Sequence, residues 1–155
     1  MIKALIMDVD GTLTDGGIYL TSNGEEIKKF NVKDGYAINN MLPKMNITPI
    51  ILTGRNSDIV KRRCKELNIT IVIQDSKDKV HDMMRVLNEL SISLKETVYI
   101  GDDLNDIECM KLVGICACPC DAANEVKNIC TYVAEKGGGA GAVREIIDWI
   151  AYNWG

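Results

Sequence analysis

Asp8 and Asp10 stand two residues apart in Met7-Asp8-Val9-Asp10-Gly11-Thr12-Leu13-Thr14, and that pair is where chemistry first becomes available to this chain. On an ideal strand they would share one face. Two carboxylates held that close repel unless a cation or a shared proton intervenes. Further polar signatures follow in order: Thr53-Gly54-Arg55, Lys79, and Asp102-Asp103-Leu104-Asn105-Asp106. Carboxylates from two places in the chain are hard oxygen ligands suited to Mg²⁺. A lysine and a hydroxyl beside them can hold a phosphate.

These groups need a scaffold that brings them together. Ile2-Lys3-Ala4-Leu5-Ile6, Thr48–Leu52, Ile69–Ile73 and Thr97–Ile100 are short, mostly apolar runs, as expected of strands buried on both faces of a parallel sheet. Val113–Cys118 and Thr131–Val133 read as two more strands. Helices are expected over about 35–44, from Asn56 or Ser57 onward, over about 79–90 and over about 142–153. Lys79 stands at the start of its helix, where the dipole gives a lysine nothing. Residues 17–32, with Asn23-Gly24 between two β-like runs, read as a projecting hairpin. Strands alternating with helices imply right-handed βαβ units in a three-layer α/β/α domain spanning 1–155. In such a sheet ligands bind at the strands' C-terminal edge, so the polar signatures should meet in one crevice.

Composition narrows the classes. The chain has 155 residues, 46% hydrophobic and 26% charged, with net charge −4. A core of useful size is available, and there is no global attraction to nucleic acid or to an anionic membrane. No apolar run has membrane-spanning length, and no signal-peptide pattern opens the chain. A cytoplasmic protein with reduced thiols is the expectation for its 6 cysteines. Cys116-x-Cys118-x-Cys120 lacks a second ligand pair and reads as core packing, not zinc. Lys61-Arg62-Arg63 has a plain reading as a solvated helix face. His81 reads as a surface residue, and Asp34 as a helix cap.

In their order and placement these motifs resemble the haloacid dehalogenase superfamily of phosphotransferases, across essentially the whole chain. The resemblance implies a Rossmann-like sheet and an aspartyl-phosphate on Asp8. It makes Asp10 the general acid and then the base, with Thr53 and Lys79 holding the phosphoryl group. Mg²⁺ would be bound by Asp8, the Asp10 backbone carbonyl and Asp102, with Asp103 and Asp106 supporting its waters. The intervals from Asp10 to Thr53 and from Thr53 to Lys79 leave no room for a cap domain.

Within the superfamily the chain is most similar to the 3-deoxy-D-manno-octulosonate 8-phosphate phosphatases and their sialic-acid relatives. DVDGTLTDG at 8–16, KFNVKDG at 29–35, TGRNS at 53–57 with Arg62-Arg63-Cys64, GDDLND at 101–106 and GGGAGAVRE at 137–145 carry that likeness. It implies a cytoplasmic homotetramer whose hairpins associate, with the Gly-rich segment closing a neighbour's site. Arg55, where the nine-carbon enzymes tend to have an acid, favours the eight-carbon sugar acid. Gly54, Arg55, Arg63 and Arg144 join Thr53 and Lys79 as candidate substrate contacts. The competing functions are a 9-phosphate phosphatase, a non-catalytic assembly module linked to sialic-acid activation, and a signalling receiver. Retention of Asp8, Asp10 and Lys79 argues for catalysis.

Overall fold

In the computed structural model, which describes residues 1–154, strand β1 (Ala4–Met7) is buried along its whole length. Parallel neighbours flank it: β4 (Thr48–Leu52) pairs Ile6 with Ile50, and β6 (Thr97–Ile100) pairs Ile6 with Tyr99. With β5 (Ile71–Ile73), β7 (Ile115–Cys118) and β8 (Tyr132–Val133) the sheet runs β5-β4-β1-β6-β7-β8, every pair parallel.

Alternation along β1 sends side chains into two separate cores. Leu5 and Met7 join Ile51, Val98, Ile38, Val60, Val143 and Ile147 on one face. Ala4 and Ile6 join Ile50, Leu52, Tyr99, Met83, Leu87 and Val126 on the other. Helices α1 (Val32–Tyr36), α2 (Asp58–Glu66) and α6 (Ala142–Trp154) cover the first face. Helices α3 (Lys79–Glu89), α4 (Ile107–Leu112) and α5 (Asn124–Ile129) cover the second. Each fully buried Leu or Ile contributes about 1.5–3 kcal/mol, which is why the central strands are almost purely apolar.

The elements differ from expectation where local signals were weak. Helices α4 and α5 are six residues each and have no long apolar period to announce them. Burial of Cys109, Met110 and Val126 holds them. Helix α1 begins earlier than residue 35. Asn31, not Asp34, caps it, its Oδ1 accepting from Lys33 N at 2.8 Å. The helix loosens into a π turn at Ala37–Met41 before Pro43. Cys116 and Cys118 pack in the core as expected, whereas Cys120, past Pro119, is exposed.

The hairpin forms outside the main sheet. Strands β2 (Tyr19–Leu20) and β3 (Glu26–Ile27) pair antiparallel, and a Thr14–Phe30 bridge anchors the base. Gly24 in its turn has φ of 84°, which favours glycine. Among the described residues no domain is inserted on either side of Thr53, and no cap covers the strand ends.

Candidate active site

The C-terminal ends of β1, β4 and β6 lie side by side, and the catalytic candidates occupy the residues just beyond them. Asp8 N donates to Ile100 O at 3.0 Å, which fixes the first carboxylate against β6. The chain then leaves the strand. Thr12, Leu13 and Thr14 all donate backbone N–H groups to Val9 O at 3.1, 2.9 and 3.1 Å. Asp8 and Asp10 are therefore not strand neighbours on one face, as ideal alternation suggested; a tight turn separates them. Asp8 is buried, while Asp10 turns toward the hairpin, where Lys28 Nζ lies 2.5 Å from its Oδ1. Gly11 sits at φ 87°, and a Cβ there would strike the Asp102 carboxylate. The turn thus needs glycine for its backbone and for its clearance.

Lys79 opens α3, whose N-cap Asp78 accepts from His81 N at 2.9 Å. Its side chain is 6% exposed and places Nζ 2.9 Å from Asp8 Oδ1 and 2.8 Å from Asp106 Oδ1. That pairing explains the lysine at a helix start. Asp106, with no exposed surface, also accepts from the Tyr99 hydroxyl at 2.7 Å and from the backbone of Asp102 and Asp103 at 3.1 and 3.4 Å. Both of its oxygens are engaged, so it acts as a brace. Asp103 caps the following turn through Leu104 N at 2.8 Å. The Thr12 hydroxyl donates to Asp102 Oδ1 at 3.2 Å. Thr53 is buried at the end of β4, held through Ile73 O and Ser76 N. Asp8, Asp10, Thr53, Gly54, Arg55, Asp102, Asp103 and Asn105 line one open crevice.

The crevice carries more negative charge than its own cations offset. Oxygens of Asp8, Asp102 and Asp106 lie within 4.8 Å of one another. Burial, reinforced by Asp106, raises the Asp8 pKa even against Lys79. Burial and then Asp8 and Asp106 raise that of Asp102. Burial opposes the Lys79 ammonium, but Asp8 and Asp106 outweigh it and raise its pKa. One buried and one half-buried carboxylate that resist ionisation beside a fixed ammonium are what a hard divalent cation would relieve. The donor set fits Mg²⁺, and the Asp10 carboxylate lies outside it.

The expected substrate contacts divide. Arg55 stands at the mouth, 3.1 Å from Glu26 and about half exposed. Arg63 and Arg144 do not line the crevice. Arg63 stacks over Phe30 with its carbon 5.5 Å from the ring centroid and donates to Asn31 O. Arg144 pairs with Asp148 at 3.0 Å and lies over Tyr36. Phe30 itself packs on the core and is not an exposed hairpin side chain. Asp34 is buried, pushed up to about 6 by that burial, and accepts from Arg144 N at 2.8 Å. The Gly-rich segment contacts its own chain: Gly139 N donates to Thr12 O at 3.3 Å, and a Cβ on Gly138 would meet Thr14 O at 2.8 Å. These glycines let the segment pack against the Gly11–Thr14 turn of its own chain. Lys28, Glu26, Tyr99 and Thr12 are the site residues that sequence reasoning missed. A lysine at an inward-facing hairpin position was the one available signal for any of them.

Comparison with known proteins shows what the chain as a whole is similar to. The family model for haloacid dehalogenase-like hydrolases matches residues 69–146. The 3-deoxy-D-manno-octulosonate 8-phosphate phosphatase KdsC of Escherichia coli K12 is 42% identical over 149 residues, 96% of this chain and 79% of that protein. A crystal structure of the phosphatase of that name from Yersinia pestis superposes with TM-score 0.94 at 40% identity, covering 97% of this chain and 81% of that one. The Moraxella catarrhalis phosphatase, solved in complex with magnesium, phosphate and KDO, superposes with TM-score 0.93 at 38% identity over 97% of this chain and 86% of that one. The chain belongs to the haloacid dehalogenase-like hydrolases, in the group that contains the KdsC phosphatases.

Proposed function

We propose that this chain is a Mg²⁺-dependent phosphatase of phosphorylated sugar acids, acting on 3-deoxy-D-manno-octulosonate 8-phosphate. The observation that carries the reading is the buried Asp8–Lys79–Asp106 cluster facing Asp102 at the strand ends. In the first step an Asp8 oxygen bonds to phosphorus as the bond from phosphorus to the sugar oxygen breaks. Asp10 gives its proton to that leaving oxygen. In the second, Asp10 takes a proton from a water that attacks the phosphorus, releasing phosphate and restoring Asp8. Thr53 and Lys79 hold the transferring group, and Lys79 offsets its charge. Asp8, Asp102 and the Asp10 carbonyl would hold magnesium, with Asp103 and Asp106 behind them. When bound, the ion supplies the positive charge that lets a carboxylate approach a phosphate dianion. Arg55 at the mouth suits the substrate carboxylate and favours the eight-carbon acid over a nine-carbon one.

The test is a phosphate-release panel of eight- and nine-carbon phosphorylated acids with and without chelator. The eight-carbon 8-phosphate should give the highest kcat/KM. Exhaustive metal removal should cut activity by at least about 10²-fold, since electrostatic terms of this kind are worth several kcal/mol. Mg²⁺ should restore turnover and Ca²⁺, with its looser shell, should not. Full activity without metal, or preference for a nine-carbon acid, would overturn the corresponding part of the assignment.

The same reading makes residues 1–155 one cytoplasmic phosphatase domain working as a homotetramer. Among the described residues no helix is long and apolar enough to cross a membrane. Ile18, Leu20, Ile27, Val32 and Tyr36 are each more than half exposed on and beside the hairpin. A two-stranded hairpin is marginal alone, and such a patch suits contact with other copies of itself. A Leu20→Glu, Ile27→Glu double variant should shift the protein from tetramer to smaller species in sedimentation velocity. A wild-type monomer with full activity would end this proposal.

A further inference from the structure

Most of the hairpin faces solvent, yet one of its charged side chains is buried. Ile27 and Lys29 point outward, whereas Glu26, Lys28 and Phe30 turn in, as period-two alternation requires. The Lys28 side chain is only 2% exposed. Its Nζ lies 2.5 Å from Asp10 Oδ1 and 3.1 Å from Glu26 Oε1. Glu26 Oε1 in turn lies 3.1 Å from Arg55 Nη2. A continuous charged row therefore runs Asp10, Lys28, Glu26, Arg55, from the proton-transfer carboxylate to the arginine at the crevice mouth. Burying an ammonium is costly, and among the described residues two carboxylates, Asp10 and Glu26, offset it. A hairpin with no more than a structural task would carry an apolar residue at that position.

The geometry points to Lys28 as a positioning residue for leaving-group protonation: it fixes the Asp10 carboxyl and, through Glu26, ties that placement to Arg55. The inference rests on the phosphatase reading above. Asp10 stands on a turn outside the sheet, with its side chain 26% exposed. A proton donor must sit within about 2.6–3.2 Å of the oxygen it serves, and no other side-chain bond to the Asp10 carboxylate is present among the described residues. Lys28 acts through Asp10 and does not touch the sugar. The row also gives the hairpin a task in the reaction. Arg55, drawn to a substrate carboxylate, shares Glu26 with the lysine that aims the acid.

The test compares two leaving groups. Lys28→Met keeps the length and removes the charge. It is assayed, with saturating Mg²⁺, on 3-deoxy-D-manno-octulosonate 8-phosphate, whose alkoxide needs a proton, and on p-nitrophenyl phosphate, whose phenolate leaves without one. We expect kcat on the sugar phosphate to fall by about 10²-fold, the usual range for a lost acid, and kcat on the aryl ester by no more than about threefold. In the Asp10→Asn background, Lys28→Met should add no further loss on the sugar phosphate. Equal losses on both esters, additivity with Asp10→Asn, or no loss would overturn the inference. Should Lys28→Met fail to fold by circular dichroism, Glu26→Gln serves instead. It should raise KM for the sugar acid more than for the aryl ester, and equal KM changes for the two would overturn the inference. Wild-type hydrolysis of the aryl ester but not of the sugar phosphate would overturn the substrate reading; the comparison then runs on glycerol 3-phosphate, a second alkyl ester, where a Lys28→Met loss no larger than on the aryl ester would overturn the inference.

Discussion

Asp8→Asn is expected to abolish turnover, by about 10⁴-fold or more, the scale on which enzymes lose activity with their nucleophile. The amide matches the carboxylate in shape but cannot form the aspartyl-phosphate. The fold should survive, and the metal-free protein should gain stability. Burial and the neighbouring Asp106 raise Asp8 from 3.8 to about 6, and burial with Asp8 and Asp106 raises Asp102 to about 8. Folded protein therefore binds more protons than unfolded protein between the ordinary and the raised values. The stability these groups contribute is complete below 3.8 and is lost as pH rises through about 6 and then about 8. Metal-free wild type should accordingly melt lower at pH 8 than at pH 5, and Asp8→Asn should narrow that gap. Calorimetry under chelation reads both. Near-normal turnover in the variant would remove Asp8 from the mechanism, and a lower pH 8 melting temperature would contradict the charge accounting.

Lys79→Met should damage both stability and rate. It leaves Asp8 and Asp106, with side chains 8% and 0% exposed, without their shared ammonium. Breaking a buried ion pair from one side costs about 3–5 kcal/mol, which for a chain of this size lowers the metal-free melting temperature by roughly 10 °C. Magnesium should recover part of the loss, because a cation can replace the missing charge for Asp8. Turnover should fall about 10²–10³-fold even with metal saturating, since the phosphoryl group loses one of its two proposed protein contacts. A metal-free melting temperature equal to wild type would show that the pair is not what holds these carboxylates.

What could be read from sequence is what depends on local composition and chain order. Apolar runs such as Leu5–Met7 and Ile50–Leu52 have no solvated face, so they had to lie inside a two-sided sheet. Parallel strands joined by helices send every strand's C-terminal end to one edge, so Asp8, Thr53 and Asp102 were bound to converge on it. Lys79 was legible because a lysine is poorly placed at a helix start unless something negative waits there.

Pairing across the fold was not legible. That Lys28 reaches Asp10 depends on how far a two-residue ladder leans back over the crevice. Tyr99 and Asp106 are seven residues apart yet meet only because a turn folds under the strand end. Arg63 and Arg144 carry the charge a substrate site needs, but Phe30, Asn31, Tyr36 and Asp148 of the same chain engage them. Asp34, which reads locally as a cap, is taken up by the backbone of α6. Periodicity encodes which face a residue occupies. Which partner waits on that face is set by non-local packing, where a shift of a few ångströms exchanges one counter-ion for another. The sequence by itself determined the sheet and the order in which the candidate site residues gather at its edge; the tertiary structure alone decided which side chains meet there, because those pairings are set by non-local packing.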